Sequence, residues 1–158
     1  MKTSIQGWLL APLLLLVAVS TFAVDTSPSP PAAGDKLGPA RTRIAEKNWP
    51  AAVDELKKVG DTGNADWNNL MGYSLRKGGP AGYAEAEKFY DAALRIDPKH
   101  RGALEYSGEL YLMTGNLPMA EQRLATLDKA CFLPCEPYSD LKKAVARYKA
   151  AGNKYVPE

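Results

Sequence analysis

The stretch YAEAEKFYDAALRIDP, residues 83–98, carries the pattern that decides the fold. Its apolar residues recur every three or four positions, which is the spacing of one face of an α-helix. This face contains Tyr83, Ala86, Tyr90, Ala93 and Leu94. The Asp97-Pro98 pair then predicts the end of the helix, because proline does not continue it.

The same face recurs 34 residues earlier and 34 residues later in the chain. Four positions keep this period through three copies, namely Trp49, Tyr83 and Leu117; Ala52, Ala86 and Ala120; Leu56, Tyr90 and Leu124; and Val59, Ala93 and Leu127. A fixed period of this length is typical of stacked helix pairs. Two further faces, Trp67 to Leu75 and Leu104 to Tyr111, predict the helices in between. Spacing alone thus predicts six or seven helices and no strand.

These residues resemble the tetratricopeptide repeat family, in a small, exported, bacterial-type form. The copy that fits the family pattern best consists of Gly72, Leu75, Tyr83, Ala86, Tyr90, Ala93 and Pro98. The next copy consists of Leu104, Gly108, Tyr111, Leu117, Ala120, Leu124 and Leu127, with Phe132 where proline would stand. The resemblance implies an all-α fold, an antiparallel helix-pair solenoid of about two and a half repeats. It places a partial repeat at residues 37–64 and full repeats at 65–100 and 101–134.

A last apolar face predicts a helix over residues 138–151, ended by Gly152-Asn153. The end of a repeat stack exposes apolar surface, and a helix of this kind covers it. We therefore interpret residues 135–158 as a C-terminal capping helix and tail.

The N-terminus has the layout of a signal peptide. Lys2 precedes an apolar run from Trp8 to Val19, and small residues end at Ala23. We expect residues 1–23 to be removed and residues 24–36, rich in Pro, Ser and Ala, to form a disordered linker. The protein would then be exported, periplasmic or secreted, without membrane insertion after cleavage. The alternative is an uncleaved N-terminal segment that anchors the chain in the membrane.

The two cysteines, Cys131 and Cys135, stand in the sequence CFLPC. Thiols this close usually pair in an oxidising compartment. On an unbroken helix they would lie too far apart, but Pro134 favours an end of the helix before Cys135. We expect a disulfide that joins the last repeat to the capping helix. The alternative follows from a likeness to the copper-binding motif of exported proteins that assemble respiratory oxidase, and makes this a thiol-redox or copper-handling protein.

The sequence contains no recognisable catalytic arrangement. His100, the only histidine, falls in a predicted turn without a Ser or Cys at a recognisable spacing, and we interpret it as a solvated loop residue. There is no glycine-rich phosphate loop and no metal-binding histidine motif. The formal charge of +2 gives the chain no evident attraction to nucleic acid. We expect no enzyme activity, no cofactor and no metal.

In the family, the first helices of successive repeats line a concave groove that takes a peptide segment or a helix of another protein. Carried over position by position, the resemblance implies these partner-binding residues: Asp66, Asn69, Tyr73, Arg76, Lys77, Glu105, Glu109, Leu112 and Met113. This mixed surface departs from the Lys- and Asn-rich clamp with which some members hold a C-terminal carboxylate. We expect a scaffold of the cell envelope that binds another protein, and the alternative is that these residues only solvate one face of the domain.

Overall fold

The computed structural model describes residues 34–133 and 135–157. Within these ranges the chain forms seven α-helices: α1 (Gly38–Ala45), α2 (Trp49–Val59), α3 (Ala65–Lys77), α4 (Tyr83–Ile96), α5 (Arg101–Met113), α6 (Leu117–Ala130) and α7 (Glu136–Ala150). A single 3₁₀ turn, Pro80–Gly82, precedes α4. The prediction of an all-helical domain with six or seven helices is confirmed.

The helices pack in sequential pairs. Each helix contacts the next one along the chain, and α3 also contacts both α1 and α5. The last helix, α7, packs against α6 and against α5. Alternate helices therefore lie side by side, which brings the side chains of α3 and α5 to a common surface.

The 34-residue period marks the places where helices begin. Helices α2, α4 and α6 start at Trp49, Tyr83 and Leu117, the first position of each copy. In α2 and α6 the residue before this position is an asparagine whose side chain accepts a hydrogen bond from a backbone N–H of the first turn. The small residues of the repeat, Ala52, Ala86 and Ala120, are fully buried, so the periodic positions are those that start and pack the helices.

Two glycines allow close contacts between helices. A Cβ atom at Gly72 would lie 2.8 Å from ring carbons of Tyr90 on α4. A Cβ atom at Gly108 would lie 2.5 Å from a methyl carbon of Leu141 on α7. Such distances are too short for any real side chain, so only glycine permits these approaches without rearrangement.

The folded chain begins slightly before the predicted boundary at Leu37. The Asp35 carboxylate accepts a hydrogen bond from the Leu37 backbone N–H, 3.1 Å away, and lies 2.9 Å from the Arg41 guanidinium. Leu37 itself is buried. The predicted signal segment, residues 1–23, and linker residues 24–33 lie outside the described residues.

Helix α7 starts two residues earlier than its apolar face predicted, at Glu136, with Pro137 in its first turn. As predicted, the helix ends before Gly152 and Asn153, which both adopt positive φ angles. Among the residues that the structure describes, none of the helices has the length and apolar character needed to cross a membrane.

Candidate binding surface on helices α3 and α5

Arg76 joins α3 to α5 through a buried ion pair. Its side chain is 4% exposed, and its Nη1 lies 2.5 Å from Oε2 of Glu109. The same nitrogen donates a longer hydrogen bond, 3.8 Å, to the sulfur of Met113. Burial alone would lower the pKa of Arg76, but the nearby Tyr90 and Glu109 raise it by more, so the guanidinium stays charged. A buried charge with its partner in place fixes the relative position of the two helices.

Aromatic rings from three helices form a row above this ion pair. The ring centroids of Tyr73 on α3 and Tyr106 on α5 are 4.7 Å apart. Trp49 on α2 extends the row, with its ring 6.0 Å from that of Tyr73 in an edge-to-face arrangement. The central guanidinium carbon of Arg76 lies 5.5 Å from the Tyr73 and Tyr106 ring centroids. These contacts are close enough for cation–π attraction, which holds the rings in place.

Glu105, one turn before Glu109 on α5, is buried without a partner. It is 9% exposed and makes no hydrogen bond or ion pair with the residues that the structure describes. Burial and the charge of Glu109 raise the pKa of Glu105 to about 7, with smaller contributions from Asp140 and Glu136 on α7. The positive charge of Arg76 opposes this shift only in part. Near neutral pH this carboxyl group therefore changes its protonation state.

Asn69 contributes a second buried acceptor to the contact between α3 and α5. The residue is 8% exposed, and its Oδ1 has no hydrogen-bond partner among the described residues. Its amide nitrogen faces Gly102 on α5, where an added Cβ atom would come within 3.1 Å. Because buried polar atoms are nearly always hydrogen-bonded, the unpaired oxygen marks a place where a donor is missing.

His100 is a helix cap and not the solvated loop residue expected from the sequence. Its side chain is 13% exposed, and Nδ1 accepts a hydrogen bond from the backbone N–H of Ala103 in the first turn of α5. With Nδ1 as an acceptor, Nε2 carries the proton and donates to Oδ1 of Asp66, 2.9 Å away. Asn64 caps α3 in the same way, 36 residues earlier, which is also the spacing of Gly72 and Gly108. The 36-residue spacing between Asn64 and His100 is therefore the sequence signal by which His100 could have been identified as a helix cap.

The structure brings most of the sequence-predicted partner-binding residues together. Five of them form one cluster with Tyr106, and we call this set the α3–α5 cluster: Asn69, Tyr73, Arg76, Glu105, Tyr106 and Glu109. Met113 adjoins it through Arg76. Asp66 lies at the other end of α3 and is exposed.

Leu112, which the sequence predicts as a partner-binding residue, does not lie on this surface. The side chain is 1% exposed and lies in a core cluster with Leu141, Val145 and Tyr148 of α7. Helix α7 packs on α5 and covers the position that would otherwise face a groove. Leu112 therefore offers no area to a partner.

The C-terminal tail adjoins the far end of the cluster, a feature that the sequence did not indicate. A cleft of about 130 Å³ is lined by Arg76, Lys77, Glu109, Ala144, Arg147, Tyr155 and Pro157. Lys77 is exposed at this end of α3. The tail therefore forms one wall of this cleft.

The sulfur atoms of Cys131 and Cys135 lie at disulfide distance, with their Cα atoms 6.0 Å apart. Cys131 directly follows α6, and Cys135 directly precedes α7. Within the described ranges, no group of three or more His, Cys, Asp or Glu side chains is arranged to hold a metal ion. Helix α6 ends at Ala130, earlier than expected from Pro134. Because both cysteines therefore lie outside the helices, their side chains can meet.

Replacing both cysteines with serine is expected to lower the free energy of unfolding by about 2 kcal/mol, because the bridge closes only a short loop of the unfolded chain. Urea unfolding of the variant, compared with untreated and dithiothreitol-treated wild type, measures this. The reduced wild type should match the variant. Equal stability of all three samples would favour the alternative in which the pair handles redox equivalents or copper.

Comparison with protein families and with curated proteins found no match for this chain.

Proposed function

We propose that this chain is a non-catalytic protein-binding module of the cell envelope, built as a short solenoid of tetratricopeptide-like helix pairs. The repeat interpretation is supported by three helices that begin 34 residues apart and by the contacts between alternate helices. The envelope location rests on the signal-peptide layout of residues 1–23 and on the paired cysteines. The cysteine pair is part of this proposal as a staple between α6 and α7.

The α3–α5 cluster is the proposed binding site for a short segment or one helix of the partner. The observation that carries the proposal is the row of aromatic rings beside two acceptor side chains: Asn69, whose buried Oδ1 lacks a donor, and Glu105, which is 9% exposed and has no ion pair of its own among the described residues. A folded domain has no internal need for such acceptors, since each costs stability. A partner segment would supply a donor to Glu105 and cover the exposed part of the Tyr73 ring.

Exposed charges at the two ends of α3 would then fix the direction of the bound segment. Asp66 lies at the start of the helix and Lys77 at its last residue, and both are exposed. Complementary charges of this kind set the orientation and the rate of association more than they set the affinity.

The test exchanges these charges without changing the net charge, by the substitutions Asp66→Lys and Lys77→Glu. The full chain serves as bait in an envelope extract, and the captured proteins are identified by mass spectrometry. We expect the double variant to lose the proteins that the wild type retains. Its melting temperature should change little, because Asp66 is exposed and its carboxylate accepts only a surface hydrogen bond from the neutral ring of His100.

A matched variant, Glu85→Lys with Lys88→Glu, makes the same exchange on the exposed face of α4. It should capture the same proteins as the wild type. Arg76 is not a useful target, since its removal would leave Glu109 partly buried and unpaired and would destabilise the fold. Capture that survives the exchange on α3 but fails after the exchange on α4 would contradict the proposed site.

A further inference from the structure

The charge around Glu105 is unbalanced. Three other carboxyl groups act on it: Glu109 from its own helix, and Glu136 and Asp140 from α7. Arg76 is the cation that acts on it, and this guanidinium is already paired with Glu109. An ionised carboxylate that is nine-tenths buried is unfavourable without a cation of its own. The group that Glu105 lacks is therefore a positive charge.

The surroundings of Glu105 suit an organic cation. The rings of Tyr73 and Tyr106 stand beside it and already attract the guanidinium of Arg76. On the same face of α3 as Tyr73, one turn earlier, Asn69 holds an acceptor oxygen without a donor. Lysine and arginine side chains carry donors, no acceptor and a positive charge. They match aromatic faces, a carboxylate and an amide oxygen together.

We infer that the α3–α5 cluster takes a lysine or arginine side chain of the bound segment, with Glu105 as its counter-charge. The inference rests on the proposed function and names the chemistry of the segment: a short basic stretch of a protein. Glu109 is already paired with Arg76, and Asp140 with Lys143. Charge complementarity with the remaining carboxyl groups, Glu105 and Glu136, selects this occupant over an acidic or purely apolar one.

The inferred contact has a pH dependence. The titratable and charged groups that face Glu105 are Tyr73 and Arg76 from α3, Tyr106 and Glu109 from α5, and Glu136 and Asp140 from α7. Together with burial they raise the pKa of Glu105 to about 7. A cation binds the ionised form, which makes up about one tenth of the protein at pH 6 and about nine tenths at pH 8. The affinity is therefore expected to rise about tenfold between these two pH values.

The test starts from a displayed library of random dodecapeptides selected on the full chain at pH 8. We expect the enriched peptides to share one lysine or arginine at a fixed position. An enriched peptide and its norleucine version, which keeps the length of lysine but not its charge, are then compared by fluorescence anisotropy. The norleucine version should bind at least tenfold more weakly to the wild type.

The variant Glu105→Gln should remove this difference and the pH dependence together. The matched variant Glu85→Gln removes a carboxylate from the exposed face of α4 and should behave as the wild type. A norleucine version that binds as tightly as the lysine peptide would overturn the inference, and this comparison needs no variant to fold. Enriched peptides without a fixed cation would overturn it too, while the proposed function would stand. If the library yields no enriched peptide, the proposed function fails and the inference fails with it.

Discussion

Replacing Tyr90 with alanine is expected to lower the free energy of unfolding by about 3–5 kcal/mol. The side chain is 0% exposed and fills the space between α3 and α4 directly opposite Gly72. Its removal would leave a cavity that the neighbouring backbones fill only in part. Urea unfolding followed by circular dichroism measures the loss.

The contact between Tyr90 and Gly72 can be tested by a double-mutant cycle. In the wild type, Gly72→Ala forces a methyl group against the ring and should cost about 1–3 kcal/mol. In the Tyr90→Ala background the methyl group has room, and alanine favours the helix by about 1 kcal/mol over glycine. The same substitution is therefore expected to change sign between the two backgrounds.

Gly108→Ala provides the control for this cycle. Its added methyl group would meet Leu141 on α7 and not Tyr90, so its cost should be equal in both backgrounds. A Gly72→Ala substitution whose cost is also equal in both backgrounds would contradict the proposed contact.

The second large effect is the pH dependence of stability caused by Glu105. Its pKa in the folded chain is about 7, raised from the ordinary value of 4.5. As the pH rises from 4.5 to 7, the unfolded chain releases this proton first, so the folded chain binds more protons and its stability falls. Above pH 7 the loss is complete and amounts to at most about 3 kcal/mol, because water that reaches the partly exposed carboxylate reduces it. Below pH 4.5 both states are protonated and the loss is absent.

Glu105→Gln should therefore raise the free energy of unfolding at pH 8 by as much as about 3 kcal/mol, and should change it little at pH 4. Urea unfolding at the two pH values measures the difference, and Glu85→Gln provides the control for loss of an exposed carboxylate. A Gln variant that is less stable than the wild type at pH 8 would show that ionised Glu105 has a stabilising partner.

The sequence predicts the helices because their determinants are local or periodic. The repeat period predicts helices that contain Trp49, Tyr83 and Leu117. In the structure a helix begins at each of these residues. These properties need only the helical period and the repeat length.

The environment of the site residues depends on neighbours that are distant in sequence. Nothing in the spacing of α3 shows that Arg76 becomes buried against Glu109, because the contact needs α5 beside α3. The loss of Leu112 from the surface has a similar origin, since it follows from α7 packing on α5. The helical period predicts which residues share one face of a helix. Whether that face is exposed to solvent depends on the helices that pack against it.

In the loop between α6 and α7, two exposed apolar side chains, Phe132 and Leu133, lie between the two cysteines. Phe132 is 98% exposed, so the peptide bonds beside it are open to a protease that prefers aromatic residues. Since the sulfur bridge spans this loop, a cut there would leave one covalent molecule, with α7 still attached. A cut beside Phe132 would thus separate no part of the chain while the two sulfur atoms stay bonded.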